Sequence, residues 1–332
     1  MRSCARDLTL GVTALAALVA GLTLPVSGAK PAKPPKVLVL GTPEPLPADA
    51  VPPPSGREDT ESAGVPVAQA SLVEAVVDVR APQGEWTRLA EGARVHTGDR
   101  LRTDAHSVAR IDFPWMSVSL GPSSELAIVK GRLLGLHLES GRIELASERD
   151  DIVKLDTPEA RVRGRGRLVV RRDARTTRVS QWHGEARVRS GPASVTLKEG
   201  FGCVVEARRP CRPVPLPAAP VALRPGSDPT YVAAGEAIRL AWSAPETAFH
   251  VQVLSFDQDA VLAQRDVNTP SLEIALPWPG LYRFRASARD QGLEGRPSLE
   301  GLFQVMPGQW LKSGTPASVP PGSRAPAPPG KP

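Results

Sequence analysis

The sequence predicts an all-β protein: two β modules set between proline-rich segments. Three observations carry this. Of 36 prolines in 332 residues, 24 fall within residues 29–66, 213–229 and 306–332, which leaves two blocks of domain size, 67–212 and 230–305. Within both blocks apolar and polar residues alternate in short runs, the period of a strand with one buried face. No run of ten or more residues carries a convincing helical period, and only 14 aromatic residues accompany 29 glycines, which disfavours a long helical or doubly wound domain.

The chain opens on Arg2 and Arg6, an apolar run from Leu8 to Leu24, and Pro25-Val26-Ser27-Gly28-Ala29. This is the three-part secretory pattern, so residues 1–28 are expected to be a signal peptide. The alternative is an uncleaved anchor, because the apolar run reaches the lower edge of a transmembrane span. Cys4 precedes that run, where lipoprotein processing could not use it. Residues 29–66 combine Pro with Ala, Val and Gly and end in an acidic patch (Glu58, Asp59, Glu61), the composition of an extended linker.

From residue 67 to 212 the alternation is dense. Val73, Ala75, Val77 and Val79 form one set, Ala109, Ile111 and Phe113 another, and Met116, Val118 and Leu120 a third. Tight turns are expected at Gly98-Asp99, Gly121-Pro122, Ser140-Gly141, His183-Gly184 and Gly191-Pro192. Residues 138–145 and 181–188 echo each other as strand, turn, strand. They predict either stacked hairpin layers of an elongated, solenoid-like body or two ordinary hairpins.

Residues 213–229 form a second proline-rich linker. Residues 230–305 hold eight aromatic residues, against five in residues 67–212. Ile238 to Trp242 predicts an early strand with a core tryptophan, Phe249 to Phe256 the next, and Gly280 to Ala288 a later one. About six or seven such strands suit an immunoglobulin-like or fibronectin type III sandwich. Residues 306–332 are expected to be a disordered proline-rich tail.

Chemical signals are sparse. The five histidines stand singly, without metal-ligand spacing. There is no Gly-x-Ser-x-Gly elbow, Asp257-Gln-Asp259 lacks the rest of a calcium loop and reads as a hairpin turn, and Gly164-Arg-Gly166 lacks the third glycine and helix of a phosphate loop. The glycines there mark a bulge or close strand packing instead. No enzyme, cofactor or metal is expected. The formal net charge of +6 is too small to argue for nucleic acid, which export also disfavours. Cys203 and Cys211, an even pair in an exported chain, are expected to form a disulfide.

The most distinctive pattern is a series of arginines. Arg161, Arg163, Arg165 and Arg167 alternate with Val162, Gly164, Gly166 and Leu168, so a straight strand projects four guanidinium groups from one face. Arg171, Arg172, Arg175 and Arg178 continue the charge. As a functional element this is a docking stripe for anionic headgroups, an acidic polymer or an acidic partner. As a structural one it is a solvated face paired with Glu144, Glu148, Asp150 and Asp151.

Several segments resemble the FecR domain of exported bacterial proteins, including periplasmic sensors of the iron-dicitrate type. They are Gly92 to Thr103, Ser107 to Phe113, Val118 to Leu126, Leu138 to Leu145, Thr157 to Gly164, Val179 to Val188 and Lys198-Glu-Gly200. Pro279-Gly280-Leu-Tyr282 and Asp290 to Ser298 are similar to the tyrosine-corner region and late loop of fibronectin type III and immunoglobulin-like domains. These resemblances imply binding or spacing without catalysis. Met1 to Asp7 is too short for the sigma-factor-binding segment of regulatory FecR members, and where the family usually has Thr and Phe after Arg-Gly this chain has Arg165-Gly166-Arg167-Leu168. The expectation is a non-catalytic protein of the periplasm or cell surface that binds or scaffolds an envelope protein or an anionic cell-wall or outer-membrane polymer. Membrane contact is expected only through an uncleaved N-terminus. The alternative is a FecR-type signalling accessory that senses a receptor or ligand.

Overall fold

The computed structural model describes residues 38–39, 65–129, 135–147, 152–206, 209–256 and 261–308. The expected signal peptide, most of the 29–66 linker, the tail beyond residue 308, and Glu148, Asp150, Asp151 and the 257–259 turn lie outside them. Every element described is a strand.

A two-residue strand, β1 (Leu38–Val39), is considered with the second module below. The first module begins with β2 (Pro66–Glu74), β3 (Val77–Arg80), β4 (Thr87–Arg88), β5 (Arg94–His96) and β6 (Arg100–Thr103). Next come β7 (Val108–Phe113), β8 (Met116–Leu120), β9 (Glu125–Val129), β10 (Gly135–Ser147) and β11 (Val153–Asp156). The last are β12 (Arg161–Asp173), β13 (Thr176–Ser190), β14 (Ala193–Lys198), β15 (Phe201–Glu206) and β16 (Val214–Pro215).

These pair into one continuous sheet that folds over a single core. The long strands make this possible, because each changes partner part-way. The first half of β10 pairs with β9 and β11, and its second half with β8 and β12. Likewise β12 passes from β11 to the second half of β10, and β13 from β15 to β14. One layer therefore contains β3, β6, β9, β11 and β14, the other β2, β7, β8 and β15, and β10, β12 and β13 run through both. Val79, Leu101, Leu126 and Val162 from the first layer meet Ile111, Val118, Ile143 and Val170 from the second in the same buried cluster.

The changeover occurs at glycines. Gly141, Gly166 and Gly184 all have positive φ (91°, 85° and 84°), a conformation open to residues without a Cβ. Two of these sites correct the sequence reading: Ser140-Gly141 and His183-Gly184 are not tight turns but lie inside strands of 13 and 15 residues. A single left-handed glycine beside a register shift bends a strand without reversing it, and it aligns the residues no differently in sequence from a turn. Turns do form at Gly98, Pro122 and Gly191-Pro192. Gly164 packs its bare Cα against Ala186, as expected for close strand approach.

The second module contains β17 (Val221–Arg224), β18 (Thr230–Ala233), β19 (Ala237–Ser243), β20 (Ala248–Ser255), β21 (Val261–Val267), β22 (Ser271–Ala275), β23 (Gly280–Asp290), β24 (Leu293–Pro297) and β25 (Gly301–Met306). One sheet has the order β1-β22-β19-β17 and the other β18-β25-β23-β20-β21, with β24 on β23. Their inner faces enclose Leu240, Trp242, Phe249, Ile274, Phe284 and Phe303. Trp242 meets Phe249 edge to face, with ring centroids 5.3 Å apart. Tyr282 stacks on Phe303 and donates its hydroxyl to the carbonyl of Trp278 at 2.8 Å, the upstream backbone bond of a tyrosine corner.

The proline-rich stretches contribute strands as well. Leu38 and Val39 pair in parallel with Ile274 and Ala275. In the 213–229 segment Val214–Pro215 pairs with β15, and Val221–Arg224 with β19. Proline is compatible with these edge positions because only one side of each strand needs a donor.

Candidate functional site

The outer faces of the first module's two layers have different fates. Residues of odd number from Arg161 to Arg171 all point outward from β12, because Val162, Gly164, Leu168 and Val170 point inward. Beyond Gly166 this face is covered by the second module. Before it the face is open.

On the covered part, Arg142, Glu144, Val169, Ser180 and Trp182 are buried, as are His250, Gln252, Gln264, Ser287 and Glu294 of the second module. Arg142 and Glu294, 4 % and 3 % exposed, form a bidentate pair, with Nε at 2.9 Å and Nη2 at 2.8 Å from the two carboxylate oxygens. Burial works against the charge on Arg142, but Glu294, Glu144 and Asp266 outweigh it and raise its pKa. Burial likewise opposes ionisation of Glu144, yet the guanidinium groups of Arg167, Arg285 and Arg142 hold its pKa at about 2. Asp266 is pushed far below the usual carboxylate range, against its burial, by His250, Arg171 and Arg289. Arg171 reaches Asp266 at 2.7 Å and Arg289 reaches it at 2.8 Å, while His250 Nδ1 lies 2.8 Å away.

Hydrogen bonds to backbone groups and a serine hydroxyl close the junction. The indole of Trp182 donates to the carbonyl of Glu294 at 2.9 Å, the Glu294 amide donates to Ser180 Oγ at 2.9 Å, and Arg296 Nε donates to the Trp182 carbonyl at 2.7 Å. Leu72 and Val108 pack with Leu262 at the margin. Beside the network lies a polar cavity of about 540 Å³ lined by Arg142, Arg171, His250, Gln264 and Asp266 among others.

On the open part, β11 to β14 present three ladder rows. Lys154, Arg163, Arg187 and Thr196 stand side by side, then Asp156, Arg161, Arg189 and Ser194, then Arg165, Glu185 and Lys198. The face thus carries seven cations and two carboxylates. Arg165 pairs with Glu185 at 3.1 Å, Arg187 donates to Ser194 Oγ at 2.7 Å, and Arg189 donates to the Gly191 carbonyl at 3.0 Å. Arg161 and Arg163 are exposed and have no carboxylate within ion-pair distance among the described residues.

The expected stripe is therefore divided. Arg161, Arg163 and Arg165 remain outward and exposed as anticipated, whereas Arg167 is drawn into the junction, where it pairs with Glu144 and lies over the Trp182 ring at 5.3 Å. Arg171, Arg172 and Arg178 are paired with Asp266, Glu159 and Asp173. Of the four acids expected opposite the stripe, Glu144 pairs with one stripe member, Arg167, and also with Arg142 and Arg285 outside it. Lys154, Arg187, Arg189 and Lys198 extend the face beyond the sequence reading. Arg187 and Arg189 were visible as an alternating pair, but only the β12–β13 register sets them opposite Arg163 and Arg161.

Cys203 and Cys211 stand together as free thiols, one buried and one half-buried. The Cys203 thiol is held protonated by its hydrogen bond to Cys211 and by burial, and the same bond lowers the pKa of Cys211. Among the described residues no group of three or more His, Cys, Asp and Glu is placed to hold a metal ion.

No family model matches the chain. No curated protein matches it either. Among solved structures, similarity is found to a putative anti-sigma factor from Parabacteroides distasonis, at 14 % identity and a TM-score of 0.32, covering 35 % of this chain and 59 % of that one. The chain thus spans less than two thirds of that neighbour. Chicken CNTN1 FN1–FN3 domains match at 10 % identity and a TM-score of 0.23 over 73 % of this chain and 99 % of theirs. Titin domains A168–A170 match at 14 % identity and 0.22 over 72 % and 93 %.

Proposed function

We propose that this chain is a non-catalytic, exported protein of the bacterial envelope that binds an envelope component and holds it in fixed geometry. The observation that carries the reading is the junction. Two β modules are joined through buried ion pairs and hydrogen bonds, so a component taken up on one module is positioned relative to the other. Buried pairs of this kind contribute little net stability compared with apolar packing, but they demand one register and so favour one arrangement of the two modules. The secretory pattern at residues 1–28 supports export, and the even cysteine pair suits an oxidising compartment.

The experiment is envelope fractionation of cells expressing the full chain, followed by affinity capture of the exported form and identification of what accompanies it. A specific envelope protein or polymer, recovered with the periplasmic or outer-membrane fraction, is expected. Recovery in the cytoplasm, or capture of nothing from envelope extract, would overturn the reading.

A further inference from the structure

We propose that the open face of β11 to β14 is a docking platform for a linear polyanion, a polymer that repeats a phosphate or carboxylate group along its length. This rests on the envelope-binding reading and names its partner class.

The first argument is a cost the fold accepts. Arg163 lies directly between Lys154 and Arg187, and Arg161 directly opposite Arg189, so three cross-strand pairs on one face set like charges together. Such pairs destabilise a sheet. A solvated face without a partner gains nothing from them. A polyanion lying over the rows reverses their sign, because each guanidinium meets an oxyanion in a two-pronged bond.

The second argument is spacing. Cations on one strand recur about every 6.8 Å, and those on neighbouring strands about every 4.8 Å, so charges repeat along both directions of the face. A chain with one charge per repeat can therefore engage several at once, and neutralising each releases bound counterions. The third argument is composition. Between the cations stand Ser194, Thr196, Asp156 and Glu185, and the one large apolar side chain exposed beside them, Ile152 just before β11, stands alone, with no aromatic or second aliphatic neighbour to form a patch for insertion among acyl chains. That favours a polymer over a bilayer.

The test uses the exported chain and long-chain inorganic polyphosphate as probe, with phosphatidylglycerol-containing vesicles as the competing surface. The parent and a control with two distant exposed charges reversed (Arg94→Glu, Arg239→Glu) should bind polyphosphate equally, and binding should weaken with salt. The variant Arg163→Glu with Arg189→Glu should bind at least about tenfold more weakly, and its log–log salt slope should fall by about 1.4, two lost contacts at roughly 0.7 each. The same variant replaces all three like-charge pairs with opposite charges, so it should melt no lower than the parent. Weaker binding with undiminished stability is the signature of a docking face. Unchanged polyphosphate affinity in this variant would overturn the proposal, and so would tighter binding to the vesicles than to the polymer. An empty envelope capture with polyphosphate binding intact would instead sink the envelope reading and leave the platform standing.

Discussion

Replacing Arg142 with methionine tests the junction where its electrostatics are most exposed to failure. The side chain is 4 % exposed, and it makes two short hydrogen bonds to Glu294 and a third contact, at 3.5 Å, to Glu144. Methionine fills much of the same volume but leaves the Glu294 carboxylate buried with its bidentate partner gone. Removing one member of a buried pair costs about 3 to 5 kcal/mol, because the survivor's desolvation is no longer offset. The backbone of Glu294 stays anchored to Ser180 and Trp182, so the loss reports the charge and not the collapse of β24. Adding Glu294→Leu should restore most of the stability, since two apolar groups of similar size are often neutral or better at such a site. Urea unfolding of the parent, both single variants and the double variant completes the cycle. A single-variant loss below about 1 kcal/mol, or a double variant as unstable as the sum of the singles, would refute the reasoning.

Acid should loosen the same junction. The Glu144 pKa is held at about 2 against an ordinary 4.5, and those of Asp266 and Glu294 are also lowered. Stability from a depressed carboxyl is complete above 4.5 and is lost as the pH falls towards 2, so urea midpoints should drop through that window, with Glu144 alone worth on the order of 3 kcal/mol. A Glu144→Gln variant should show a shallower decline. Gly184→Ala should destabilise by about 1 to 3 kcal/mol, because its φ is +84° and a Cβ there would lie 2.5 Å from the Arg165 carbonyl oxygen; thermal melting checks this against the solvent-facing Gly191→Ala. The adjacent thiols of Cys203 and Cys211 should close into a disulfide in the exported chain, detected as loss of titratable thiol, and reduction should lower stability by about 2 to 3 kcal/mol. Two free thiols in protein isolated from the envelope would contradict that pairing.

The all-β class was legible because a period of two survives wherever one face of a strand is buried. Trp242 could be placed for the same reason, since a large aromatic in an alternating run has few destinations other than a core, whereas Tyr282 was placed by its resemblance to a tyrosine corner. The bulges at Gly141 and Gly184 were not legible, since a glycine beside a polar residue signals a turn unless the strand on either side is known to continue. Nor was the junction. Arg142 and Glu144 alternate with buried Ile143 and Leu145, which is also the pattern of a solvent face, and what covers that face is set by residues more than a hundred positions away. The arginine stripe lies between these cases. Its direction followed from parity alone, but the bulge at Gly166 and the edge of the second module decide that Arg167 is paired and Arg163 is open.

Calorimetric unfolding of the exported chain tests most directly whether the junction makes one body of the two modules. The structure predicts a single cooperative transition, with calorimetric and van't Hoff enthalpies in agreement, that separates into two in Arg142→Met. Two independent transitions in the parent, unmoved by that substitution, would contradict the coupling on which the proposed function rests.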